Sequence, residues 1–112
     1  MINLNNKKFR ALSNSENGEL PSGFTFLYKQ KDNILTCIYK GGSIIEGQLM
    51  GLVQEDNTVN LAYQQINTKG ELRTGICHSK LALSSHGKIR IVENWQWTTG
   101  DRSSGTSILE EI

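Results

Sequence analysis
Lys88-Ile89-Arg90-Ile91-Val92-Glu93-Asn94-Trp95-Gln96-Trp97-Thr98 is the stretch whose pattern sets the fold. Ile89, Ile91, Glu93, Trp95 and Trp97 occupy every second position in it. A repeat of two places these side chains on one face of an extended strand, whereas a helix would scatter them around its axis. The β-branched and aromatic content also suits a pleated, half-buried surface.

The same alternation runs outward from there. Val59, Leu61, Tyr63 and Gln65 share one face of a strand over 58–66, and Leu72, Thr74, Ile76 and His78 one face of a strand over 71–79. Both sets are expected to point inward. Further strands are expected over 7–12, from Gly23 with Phe24, Phe26 and Tyr28 alternating, and over 34–40, 43–53 and 107–112. A short helix over 106–112 is the alternative for the last. Between the strands stand Lys31-Asp32-Asn33, Lys40-Gly41-Gly42, Glu55-Asp56-Asn57, Asn67-Thr68-Lys69-Gly70 and Ser84-Ser85-His86-Gly87. Each contains Gly, Asn or Asp, which reach turn conformations that other residues resist. The segment 13–18 is a loop by composition, and Gly47 and Gly51 read as a bulge or bend at a barrel corner.

Strand-length runs spaced by tight turns make an all-β fold, an antiparallel up-and-down meander of about 7–8 strands. Closure removes exposed edges, so a small barrel of the avidin or lipocalin type is expected; that comparison is of architecture and does not fix function.

The chain has 112 residues with 37% hydrophobic, enough for one shared core. It is expected to form a single domain, 1–112, with 1–22 less regular. Its 12 basic and 11 acidic residues leave a formal charge of +1. That balance supplies no field to gather nucleic acid or coat an anionic membrane. No apolar run approaches the roughly 20 residues of a membrane span. Residues 1–10 lack the apolar centre of a secretory signal, so a cytoplasmic location is expected. Cys37 and Cys77 fall inside strands and read as free, buried thiols, with a bridge between them left open.

If one strand separates 58–66 from 88–98, those two run the same way, and Tyr63, Gln65, Glu93, Trp95 and Trp97 crowd one rim of the barrel. His78 then lies at the other end. Arg102, on the polar loop 99–105, would sit over that rim. One reading makes these residues the aromatic wall and polar contacts of a ligand pocket; the other makes the indoles plugs of the barrel end. Glu93 is the one carboxylate on the expected inner face. Burial would raise its pKa, or Arg73 or Arg90 would pair with it, and the pairing is the favoured expectation. Cys77 and His78 are adjacent and point to opposite faces, so they do not form one site. There is no Cys-x-x-Cys, no His-x-His, no Walker loop and no Gly-x-Gly-x-x-Gly opening a helix. No metal, cofactor or catalytic residue is therefore expected.

Lys8-Phe9-Arg10, Ser13-Asn14-Ser15-Glu16-Asn17-Gly18-Glu19, Gly75-Ile76-Cys77-His78-Ser79, Glu93-Asn94-Trp95-Gln96-Trp97-Thr98 and Ser107-Ile108-Leu109-Glu110-Glu111 together carry a family resemblance. The chain resembles small bacterial proteins, mainly from Bacteroidetes and Firmicutes, many of them labelled N-acetylglutamate synthase. The label implies acetyl transfer from acetyl-CoA to glutamate. Acetyltransferases of that type hold the CoA pyrophosphate on an Arg/Gln-x-x-Gly-x-Gly/Ala loop opening a helix. No such loop stands here, so the resemblance assigns no residue a role. The expected function is non-catalytic binding of a small molecule at the barrel mouth. A protein partner or second copy pairing with an exposed edge near 7–12 comes next, and the acetyltransferase last.

Overall fold
A computed structural model describes residues 2–15 and 18–112. Glu16 and Asn17, inside the expected loop 13–18, and Met1 lie outside the described residues. The described residues form nine strands: β1 (Lys8–Asn14), β2 (Thr25–Leu27), β3 (Lys29–Lys31), β4 (Ile34–Gly41), β5 (Ile44–Val53), β6 (Thr58–Asn67), β7 (Leu72–Leu83), β8 (Ile89–Trp97) and β9 (Ser104–Glu111). All pairings are antiparallel, in the order β2-β1-β9-β8-β7-β6-β5-β4-β3. From β3 to β9 each strand neighbours the next in sequence, which is the expected meander. The turns fall at the expected breaks, and positive φ at Asp32 (56°), Asn57 (63°) and Gly70 (75°) explains the residue types there.

The two ends of the sheet are successive pieces of one extended segment, β2 and β3, separated only by Tyr28. Up to Tyr28 this segment bonds to the β1 side: Phe9 faces Phe26, and Tyr28 N–H donates to Lys7 O at 3.0 Å. From Lys29 onward it pairs with β4, Lys29 facing Thr36. The sheet therefore curls nearly shut into a barrel, and the expected strand from Gly23 is shared between its two edges. The radius of gyration is 13.2 Å, as compaction of this length implies.

Several local expectations are corrected. β1 is flanked by both β2 and β9, so 7–12 offers no free edge for a partner. At the C-terminal end the expected strand forms as β9, Ser104–Glu111, and the alternative helix does not. The register shifts lie between Ala11 and Ser13, Tyr39 and Gly41, and Ile44 and Glu46. Gly47 is not at one of them: a Cβ there would overlap the Tyr39 ring, so the glycine seats that aromatic. Gly51 is likewise seated against Leu61.

The inner face of β7 is the reverse of the expected one. Gly75, Cys77, Ser79 and Leu81 point inward, while Leu72, Ile76 and His78 are exposed, Ile76 by 52%. Small inward residues on β7 face large ones on its neighbours: Gly75 lies opposite Tyr63 and Trp97, and Cys77 opposite Leu61 and Trp95. A two-residue period fixes which side chains share a face, and packing volume decides which face is inside. Val53, Val59, Leu81, Ile89, Ile91, Leu35 and Leu109 belong to the aliphatic part of the core. The aromatic part carries the site.

Candidate functional site
Phe26, Tyr28, Tyr39, Tyr63, Trp95 and Trp97 line one interior cavity of about 60 Å³, with Gln65, Cys77, Glu93 and Ser107 among its polar groups. Tyr63 and Gln65 come from β6, Glu93, Trp95 and Trp97 from β8, as the alternation expects, and all five meet in this cavity. Arg102 is exposed on the β8–β9 loop, with φ of 57°, and does not line it. His78 is on the outer wall, hydrogen-bonded to Asn60.

The rings brace one another. Trp95 and Trp97 meet edge-to-face with centroids 5.9 Å apart, Tyr63 meets Trp97 at 5.4 Å, and Phe26 meets Tyr39 at 5.1 Å. Such contacts hold aromatic walls in one arrangement. Polar ends are fixed as well. Trp95 Nε1–H donates to Asn14 Oδ1 at 3.1 Å, and the Tyr39 hydroxyl donates to Gln65 Oε1 at 2.9 Å. Gln65 in turn donates to Glu19 Oε1 at 2.7 Å.

Sequence pattern missed Glu19, and it assigned Arg73 a different partner. Glu19 lies on the connection between β1 and β2, where no periodicity singles it out. Its carboxylate gathers Gln65, Asn67 Nδ2 at 3.0 Å and Arg73 at 3.8 Å. Arg73 also lies over the Trp97 ring, 3.9 Å from its centroid, a cation–π contact. The cation at the indoles is therefore Arg73.

Glu93 is 8% exposed and occupies the middle of an inward row, with Ser79 on one neighbouring strand and Ser107 on the other. Ser107 Oγ donates to Glu93 Oε1 at 2.6 Å. The expected pairing with Arg73 or Arg90 is not formed. Arg73 pairs with Glu19, Arg90 pairs with Glu110 at 3.0 Å, and no ion pair among the described residues includes Glu93. Burial pushes its pKa from 4.5 up to about 7, with the Ser107 bond pulling slightly the other way. Tyr28 also lines the cavity. Its pKa is raised well above 10 by burial and then by the nearby Glu93 carboxylate.

Cys37 and Cys77 are free and buried, and burial lifts their thiols to about 11 and about 12. Neither is a nucleophile at neutral pH. No cluster of three His, Cys, Asp or Glu able to hold a metal is found among the described residues. No described helix is long and apolar enough to cross a membrane. A larger hollow of about 850 Å³ lies on the outer wall beside Ile38, Met50 and Ile76. None of its lining residues is a carboxylate. The interior cavity combines aromatic walls with a buried, perturbed acid, a combination common in binding sites.

A family model described as avidin-like protein matches residues 2–112. The match overturns the resemblance to proteins labelled N-acetylglutamate synthase, since it spans nearly the whole chain and describes a different family. No curated protein and no solved structure matches the chain.

Proposed function
The chain belongs to the avidin-like family, and from that premise we propose that it is a non-catalytic binding protein that takes a small molecule into the barrel. The observation that supports this reading is the convergence of Tyr63, Gln65, Glu93, Trp95 and Trp97 on one aromatic-walled cavity that holds a buried carboxylate. A core that served only for stability would gain from filling this space with aliphatic side chains. Instead a carboxylate and a phenol are kept in it, at a cost in desolvation that a ligand's polar groups would offset. The rigid aromatic frame limits the ordering cost of binding. Nothing in the arrangement supplies an activated nucleophile or an acid–base pair, so the chemistry supports holding a ligand and not transforming it.

Indole fluorescence and thermal shift against a panel of small metabolites test the proposal. A saturable change in Trp95 and Trp97 emission, accompanied by a rise in melting temperature, is expected for at least one compound class. A panel that moves neither signal contradicts it.

A further inference from the structure
We propose, building on the binding reading above, that the cavity selects a compact organic cation, an alkylammonium or the ammonium end of a longer molecule, seated against Glu93. Glu93 is a buried carboxylate with one oxygen engaged by Ser107 and no ion-pair partner among the described residues. Buried charges are ordinarily paired, and the missing partner is a positive group. Six aromatic residues surround the same space, and aromatic faces favour organic cations over anions. The Tyr28 hydroxyl supplies a further contact for a polar substituent.

The charges around the site agree with this choice. Tyr28, Tyr39, Tyr63 and Cys77 face Glu93 from the β2–β3 junction, β4, β6 and β7, and burial keeps each of them neutral near pH 7. Arg73, which would favour an anion, is already engaged by Glu19 and the Trp97 ring. A cavity of about 60 Å³ admits only a few heavy atoms. Because Glu93 titrates near 7, cation binding expels its proton and strengthens as the pH rises.

The test follows the indole Nε1–H signals of Trp95 and Trp97 in ¹H–¹⁵N spectra of the full chain. Probes are methylammonium and tetramethylammonium chloride, with acetamide and tert-butanol as neutral comparisons and acetate as the anion. Cations are expected to shift both signals saturably, at least about tenfold more tightly than the neutral probes. Their affinity is expected to rise about tenfold per pH unit below pH 7 and to level off above it. In Glu93→Gln the cation preference and its pH dependence are expected to vanish. If that variant does not fold, the pH profile of the native chain decides, and a flat profile overturns the proposal. Neutral probes or acetate shifting the indoles while cations do not would overturn the cation assignment and leave small-molecule binding intact. If no probe shifts them, both readings fall.

Discussion

Replacing Glu93 by Gln isolates the energetic consequence of burying this acid. The folded state holds the Glu93 proton up to about pH 7, whereas the unfolded chain releases it near 4.5. Between those values the native state binds more protons, so stability falls as pH rises through the window and the loss is complete above about 7. At about 1.4 kcal/mol per pH unit, the difference amounts to about 3 kcal/mol. Gln imitates the protonated acid in shape, retains an oxygen to accept from Ser107, and has nothing to ionise. Urea and thermal unfolding of both proteins from about pH 4.5 to about pH 8 would separate this from the other titrating groups, which the two share. The variant is expected to match the native chain within about 1 kcal/mol at the acid end. At about pH 8 it should be more stable by about 3 kcal/mol, or roughly 10–15 °C in melting temperature. A stability gap that does not widen with pH would refute the burial of an ionisable, unpaired Glu93.

Three further outcomes are expected. Gly75→Ala places a Cβ into the Tyr63 ring and within 2.8 Å of the Gln96 carbonyl oxygen, so it should cost about 2 kcal/mol by denaturant unfolding. A change below about 0.5 kcal/mol would mean Tyr63 is not packed there. Tyr39→Phe removes the donor to Gln65 and should destabilise by about 1–2 kcal/mol, with an unchanged fold by circular dichroism. In native protein near pH 8, Cys37 and Cys77 should resist a thiol reagent and react only after unfolding; rapid native modification would place them outside the core.

How much of this was legible in the sequence depended on where side-chain size agreed with hydrophobicity. In β8, Ile89, Ile91, Trp95 and Trp97 are both the large and the inward residues, so alternation alone gave the correct face. In β7 the two signals conflict. Leu72 and Ile76 are apolar but exposed, while Gly75 and Cys77 turn inward because the facing Tyr63, Trp95 and Trp97 leave room only for small groups. That choice is made by neighbouring strands, and no local pattern encodes it. The division of the strand at Tyr28 was hidden for a similar reason: the segment is continuously extended, and only its change of hydrogen-bonding partner makes it the seam of the barrel. The polar half of the site drew on loop contacts. Glu19 lies 46 residues from Gln65 in sequence, and its carboxylate takes up the arginine expected at Glu93.

The most direct measurement is a set of nuclear Overhauser contacts among the aromatic rings in solution. Contacts from Trp97 to Tyr63 and Trp95, and from Tyr28 to Phe9 and Phe26, are expected if the sheet closes around one aromatic chamber. Indoles with solvent-like shifts and none of these cross-peaks would mean that the chamber does not exist.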